Sequence, residues 1–352
     1  MQPRLDRRCK KAASEDKPLY PDELDVLREA CRKIDEEKDG GRAWQMVCDI
    51  SMTGIGSQNP EWKRMHSLVA DNIHSCTAAY LTLNVQPPEA ATGVFVGISH
   101  RVFLATTSHS IPQRPNGKLS FVGMRLKNLD DHVPAIADFG KDTDESLRDV
   151  AYLEIDPAFV TKLGKAPLPL SRIYPCRAGQ QKTWTIVGGY PSEIIQNKQT
   201  GATRLDLQFN FQSWSNRVLI PGDWSVLPKV RPARGYRTVP DKTLDVFVAY
   251  PRNDEVDSCG TSSIEQLPEP FGMSGGGYWQ PKRTKKSRIW SPDSYCLIAI
   301  QSKWWGLGRY LQATQIVHWL RLLWDRRPDV RADLEDAFPK VRWTLPGRPR
   351  LR

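Results

Sequence analysis

A serine stands within a glycine-rich stretch of the chain, Phe271-Gly272-Met273-Ser274-Gly275-Gly276-Gly277. Flanking glycines allow backbone torsions that other residues resist, and they leave the hydroxyl open to the backbone of a second polypeptide. In such a turn the backbone N–H groups of Gly272 and Ser274 can both point at an oxygen that develops negative charge. The pattern therefore indicates a nucleophilic serine with an oxyanion hole, although a flexible glycine-rich hairpin turn has the same composition.

A nucleophilic serine needs a base, and the chain has 6 histidines. His109 follows the apolar segment 101–107, whose small last residues would let the ring pack at the end of a strand. A histidine in that place is often only structural, but the other five are weaker candidates. They fall in helical segments, at a hairpin tip or in a polar loop: His66, His74, His100, His132 and His318.

The third group should be a carboxylate that fixes the imidazole tautomer and stabilises the imidazolium cation. Asp149 directly precedes the apolar segment 150–155, so it enters the fold at the start of a strand. Asp142 and Asp144 belong to the polar run before it and have the character of loop residues. Because an aspartate at a strand edge is also a common turn former, this assignment depends on the other two residues.

Taken together, the three segments resemble the chymotrypsin-like (trypsin-like) serine proteases over residues 76–325. Residues 93–96 and 102–109 are similar to the family's glycine-rich strand and its Thr-Ala-Ala-His segment. Residues 149–153 resemble its aspartate motif, and residues 272–276 match Gly-x-Ser-Gly-Gly. The family order of histidine, aspartate and serine is also the order in this chain.

The resemblance implies two six-stranded β-barrels with a Ser274–His109–Asp149 triad in the cleft between them. It also implies hydrolysis of peptide bonds through an acyl-enzyme intermediate. Met273 stands where the digestive members have an aspartate that pairs with a newly cut N-terminus. We therefore do not expect activation through that ion pair.

The resemblance also suggests which residues contact the substrate. The base of the specificity pocket, six residues before the serine, is Pro268, which does not favour a basic substrate side chain. A shift of the alignment by one residue would place Glu269 there instead. Gln301 and Ser302 are expected on the strand that binds the substrate backbone.

The elements that must position these residues are short strands between helical ends. Helical periodicity occurs at 20–38, 60–73 and 313–324, and strand-like segments separated by turn formers occupy the region from about residue 76 onward. We expect an all-β, chymotrypsin-like double β-barrel with an N-terminal helical extension and a C-terminal helix. The predicted parts are a basic tail and helical extension (1–75), a first barrel with His109 and Asp149 (76–175), a second barrel with Ser274 (176–312), and a C-terminal helix with a basic tail (313–352).

Composition restricts partners and location. The net charge of +10 is concentrated at the two termini and at residues 282–288, which indicates solvated tails and a hairpin tip, with an acidic partner or nucleic acid as the alternative. The 7 cysteines are scattered without a Cys-x-x-Cys pair, and no apolar signal segment or bilayer-spanning run occurs. These features predict a cytoplasmic protein without membrane association. We expect no metal and no cofactor, because compact ligand spacing and nucleotide-binding fingerprints are missing.

The sequence thus predicts a regulated serine endopeptidase that acts on polypeptides. The N-terminal helices and the basic tails are candidates for docking a regulatory protein or for autoinhibition, and analogy suggests a role in regulated proteolysis or bacterial defence. The alternative is a catalytically silent, protease-like module that binds a protein or nucleic acid through its basic segments. The complete set of three residues favours the enzyme.

Overall fold

The computed structural model describes residues 60–82, 89–121, 133–142, 148–175, 185–191, 210–214, 241, 243–250, 256–257, 264–265, 269–281, 292–305 and 310–344. The helices are α1 (Pro60–Cys76), α2 (Pro157–Lys162), α3 (Ile316–Arg326) and α4 (Arg331–Ala337). The strands are β1 (Thr77–Thr82), β2 (Glu89–Ile98), β3 (Arg101–Thr106), β4 (Leu119–Phe121), β5 (Ile136–Lys141), β6 (Ala151–Ile155), β7 (Leu168–Pro169), β8 (Thr185–Gly189), β9 (Asn210–Trp214), β10 (Asp245–Ala249), β11 (Val256–Asp257), β12 (Ile264–Glu265), β13 (Gly277–Pro281), β14 (Tyr295–Trp305) and β15 (Tyr310–Gln315).

The first sheet has the strand order β4-β1-β2-β3-β6-β5, and β7 adds to β2 in parallel. The β2–β3 hairpin turns at residues 99–100, which confirms the predicted place of His100 at a hairpin tip. The interior of this sheet is a cluster of aliphatic and aromatic side chains that includes Tyr80, Phe95, Leu104, Phe121 and Leu153. Burial of these large side chains stabilises the sheet by removing apolar surface from water.

The second sheet has the strand order β10-β15-β14-β13-β8-β9. Its interior is a separate apolar cluster that includes Val187, Val246, Met273, Tyr278 and Ile298. The predicted all-β fold, with two sheets between an N-terminal and a C-terminal helical part, is therefore confirmed. Strands β11 and β12 form a small additional pair.

A third apolar cluster joins residues of both sheets to α1, α3 and α4. Trp319 of α3 lies within it, and its indole N–H donates to the carbonyl of Ala151 at 3.0 Å. Arg327, just after α3, contacts Glu154 of β6 at 2.5 Å and Asp138 of β5 at 3.2 Å. The C-terminal helix thus packs on the first sheet, at the strand that begins two residues after Asp149.

The two helices predicted within the described residues are present, with different bounds. The helix predicted at 60–73 spans Pro60–Cys76, and the helix predicted at 313–324 begins only at Ile316. Ala313 and Thr314 belong to β15, because they pair with β14 on one side and with β10 on the other. The helix predicted at 20–38 lies outside the described residues. No helix in the described part of the chain has the length and apolarity needed to cross a membrane.

Candidate active site

His109 and Asp149 are brought together by the pairing of β3 with β6. Thr106 at the end of β3 lies opposite Ala151 at the start of β6. Residues that follow β3 therefore lie beside residues that precede β6. Asp149 Oδ2 lies 2.8 Å from Nδ1 of His109, and Oδ1 accepts the backbone N–H of His109 at 3.2 Å. One buried carboxylate thus orients both the ring and the backbone of the histidine.

The conformation of Asp149 is unusual and is supported by its neighbours. Its φ of +41° lies in the left-handed region, which non-glycine residues rarely adopt and aspartate tolerates better than most. Ser108 donates its hydroxyl to the carbonyl of Val150 at 2.7 Å, which holds the His109 segment against the start of β6. Arg148 pairs with Asp142 through Nε and Oδ2 at 2.6 Å. These contacts fix the residues on both sides of Asp149.

Asp142 was expected to be a loop residue, and it does lie just after β5, outside any strand. It is nevertheless buried, with a side chain that is only 4% exposed, and its backbone N–H donates to Val150 at 3.1 Å. The buried ion pair with Arg148 explains why a carboxylate is accommodated there. Asp144 lies outside the described residues.

Glycines in the segment around Ser274 allow it to lie directly against both sheets. Gly272 and Gly275 have φ of +87° and +91°. A Cβ on Gly275 would lie 1.9 Å from the carbonyl oxygen of Thr92 and 2.2 Å from Oγ1 of Thr106. No side chain fits at Gly275, because the backbone there lies directly against Thr92 and Thr106. A free hairpin turn would not need glycine for this reason. Because Thr106 lies three residues before His109, the serine segment contacts the strand end that leads to the histidine.

The backbone hydrogen bonds of this segment leave a particular pair of N–H groups available. The N–H of Met273 donates to Pro270 at 3.1 Å, and that of Gly275 donates to Gln301 at 2.8 Å. Within the described residues, the N–H groups of Gly272 and Ser274 donate to no backbone carbonyl. Two such N–H groups, both half-buried and two residues apart, could together bind an anionic or carbonyl oxygen.

Three carbonyl groups of the same segment accept hydrogen bonds from other groups of the protein. Gly272 accepts from the hydroxyl of Thr92 at 2.7 Å, and Ser274 accepts from the backbone N–H of Thr92 at 2.8 Å. The carbonyl of Met273 accepts from Gly276 at 2.8 Å. Sequence reasoning missed Thr92, since nothing in a strand of small and apolar residues distinguishes this threonine.

Two of the three residues expected to bind substrate lie within the described residues. Gln301 and Ser302 lie on β14 and are buried, and Gln301 exchanges backbone hydrogen bonds with Gly275 and Gly276. The side-chain oxygen Oε1 of Gln301 is buried without a hydrogen-bond partner among the described residues. Ser302 donates its hydroxyl to the carbonyl of Gln312 at 3.3 Å. Pro268 lies outside the described residues.

An exposed aromatic side chain beside the serine segment was not anticipated from the sequence. Phe271 is 60% exposed, although most large apolar side chains of the described residues are buried. Its ring packs edge-on against Trp304 of β14, with centroids 5.8 Å apart. The sequence feature that could have indicated it is the presence of an aromatic residue three positions before the serine. The pair offers an apolar surface next to Ser274.

The structure gives other roles to two competing histidines. His318 is buried on α3, and its Nε2 lies 2.9 Å from the carbonyl of Thr243. Burial lowers the pKa of His318 to about 4. Burial, with a contribution from Lys165, also lowers the pKa of His74 to about 4. His132 and the side chain of His66 lie outside the described part, within which no group of three or more potential ligands could hold a metal ion.

No protein-family model and no curated protein matches this sequence. Among solved structures, the chain is similar to the scabies mite inactivated protease paralogue S-I1 at 13% identity, covering 70% of this chain and 93% of that one, with a TM-score of 0.42. It is similar to the M. tuberculosis protease Rv3671c in its active form at 13% identity, with coverage of 76% and 86% and a TM-score of 0.38. It is also similar to the protease Anisep from Arthrobacter nicotinovorans at 9% identity, with coverage of 68% and 90% and a TM-score of 0.37. Similarities at this level do not transfer an activity, and the functional assignment must rest on the site.

Proposed function

We propose that this chain is a serine endopeptidase with Ser274 as nucleophile, His109 as general base and Asp149 as the carboxylate that orients the base. The observation that carries the proposal is the double contact of Asp149 with His109, at 2.8 Å to Nδ1 and 3.2 Å to the backbone N–H. A carboxylate on Nδ1 favours the tautomer that has its proton there. The other ring nitrogen, Nε2, then carries no proton and can act as the base.

The proposed reaction has two stages, formation of an acyl-enzyme and its hydrolysis. Nε2 of His109 removes the proton of the Ser274 hydroxyl while Oγ attacks the carbonyl carbon of the scissile peptide bond. The N–H groups of Gly272 and Ser274 stabilise the resulting oxyanion, and one such donor contributes about 3–4 kcal/mol. His109 then protonates the leaving amine, and the same base activates a water molecule that hydrolyses the acyl-enzyme.

The surroundings of the site suggest how a polypeptide would bind. The backbone of β14 at Gln301–Ser302 runs beside the serine segment, and the exposed ring of Phe271 adds an apolar contact. In this proposal residues 76–175 carry the base and its carboxylate, and residues 176–312 carry the nucleophile. Regulation through residues 1–75 or the basic tails, a cytoplasmic location and a role in bacterial defence are parts of the proposal that rest on the sequence.

A fluorophosphonate probe tests the proposed nucleophile, because it reacts with an activated serine rather than with an ordinary hydroxyl. We expect labelling of the full chain that is abolished in Ser274→Ala and reduced by at least about 100-fold in His109→Ala. Ser171→Ala is the matched control, since Ser171 is an exposed serine outside the site. A folded protein that stays unlabelled, and that cleaves no member of a peptide library, would support the silent binding module instead.

A further inference from the structure

Thr92 of the first sheet is hydrogen-bonded to the serine segment through both its backbone and its side chain. It lies on β2 two residues before the pairing of β2 with β3 begins at Val94. Its backbone N–H donates to Ser274 at 2.8 Å, and its backbone carbonyl accepts the hydroxyl of Thr106 at 2.8 Å. Thr92 thus bonds both the serine segment and the strand that leads to His109.

The side chain of Thr92 adds a second connection, to the second sheet. Its hydroxyl donates to the carbonyl of Gly272 at 2.7 Å and accepts the backbone N–H of Tyr190 at 3.0 Å. Thr92 is 0% exposed, so water cannot replace either hydrogen bond if the hydroxyl is removed. A buried donor or acceptor left without a partner costs about 1–3 kcal/mol.

These bonds determine which way the peptide groups of the segment face. The carbonyl of Gly272 belongs to the peptide group between Gly272 and Met273, which joins the two peptide groups that carry the N–H of Gly272 and the N–H of Ser274. The carbonyl of Ser274 belongs to the peptide group that follows them. By holding these two carbonyls, Thr92 restrains the backbone on which the positions of both available N–H groups depend. A shift of that backbone would move the N–H groups away from the geometry that an oxyanion hole requires.

The opposite side of the segment is held by packing. Met273 is 3% exposed within the apolar cluster of the second sheet, and a Cβ on Gly189 would lie 3.1 Å from the Met273 Cβ. Gly189 directly precedes Tyr190, whose N–H bonds Thr92. The end of β8 at Gly189 thus packs against the segment, while Thr92 is hydrogen-bonded to it.

We propose that the Thr92 hydroxyl is a positioning group for the oxyanion hole, which it keeps formed by bridging Gly272 to Tyr190. This inference rests on the proposed function. According to it, groups within the folded chain keep the oxyanion hole ordered. The hydroxyl itself touches no reacting atom, so it acts through the backbone of Gly272.

The test compares Thr92→Val, which removes the hydroxyl at nearly constant shape, with Thr92→Ser, which keeps it. We expect kcat to fall at least about 10-fold in Thr92→Val with KM changed less than about threefold, and Thr92→Ser to stay within about threefold of wild type. A peptide aldehyde, whose adduct needs the hole, should bind Thr92→Val at least about 10-fold more weakly. The corresponding peptide alcohol should bind both proteins equally.

Thr185→Val is the matched control, because Thr185 is buried on β8 and its hydroxyl accepts from Gln280 rather than from the serine segment. Wild-type kcat in folded Thr92→Val, or an equal loss in Thr185→Val, would overturn the proposal. If Thr92→Val does not fold, Thr92→Ser and Thr92→Ala differ only in the hydroxyl, and equal activity of the two would overturn it. Failure of the wild type to react with a fluorophosphonate would instead refute the proposed function.

Discussion

Met273 occupies a position where a charged side chain would be incompatible with its surroundings. It is 3% exposed and packs with apolar and aromatic residues of the second sheet, including Val187, Val246 and Tyr278. The change Met273→Asp removes an apolar side chain from this core at a cost of about 1.5–3 kcal/mol. It also places a carboxyl group where solvent cannot stabilise its charge.

The cost of that carboxyl group depends on pH in a calculable way. A carboxyl with an ordinary pKa of about 3.9 that must stay protonated at pH 7 costs about 4 kcal/mol. With the lost apolar contact, the total of about 5–7 kcal/mol is comparable to the whole stability of a typical domain. Between pH 7 and pH 5 the protonation cost falls by about 2.7 kcal/mol, so the variant should recover that much stability relative to an uncharged control.

Urea unfolding at pH 7 and pH 5 measures this difference. Met273→Asn is the matched control, because asparagine has nearly the shape of aspartate and no titratable group. Met273→Leu should lower the free energy of unfolding by less than about 1.5 kcal/mol and should retain activity. If Met273→Asp and Met273→Asn show the same dependence of unfolding free energy on pH, the carboxylate is charged and stabilised at both pH values. That result would refute the argument that the segment is held by apolar packing. Full peptidase activity of Met273→Asp at pH 8 would refute it as well.

Three further predictions concern the packing that positions the site. Gly275→Ala should lower peptidase activity at least about 100-fold, because its Cβ would lie 1.9 Å from Thr92, whereas Gly117→Ala, at φ +68° with nothing within 4 Å, should leave kcat unchanged. Since burial lowers the pKa of His318 from 6.5 to about 4, the unfolded chain binds this proton more tightly, and stability falls as pH drops through that window. In urea unfolding, the free energy of unfolding should therefore fall by about 2 kcal/mol more between pH 7 and pH 5 in the wild type than in His318→Asn. Arg327→Met should destabilise the protein by about 2 kcal/mol in thermal or urea unfolding, because Glu154 loses a 2.5 Å partner and, among the described residues, keeps only Arg101, at 2.6 Å.

Much of the fold was predictable because strand and helix periodicity are local properties. The short β-branched and aromatic segments at 93–96, 102–106 and 150–155 form strands, and Pro60–Cys76 is helical. The start of the C-terminal helix was predicted three residues too early, since Ala313 and Thr314 are drawn into the sheet by two neighbouring strands. Such pairing is invisible to a periodicity argument.

For the site, the residue types and their order along the chain could be read from local patterns. The sequence marked His109, Asp149 and Ser274 through their flanking segments, and it marked Gly272 through the special torsion that glycine allows. The roles of these residues remain a proposal. The meeting of His109 with Asp149 is a fact of the tertiary structure, produced by the register of β3 and β6.

How the serine segment is held depends on contacts between distant parts of the chain. Thr92 and Gly272 are 180 residues apart in sequence. Hydrogen bonds and close contacts of this kind arise from the packing of one sheet on the other, which no local pattern encodes. The sequence therefore identifies the groups that could do the chemistry, and the packing of distant strands gives them their positions.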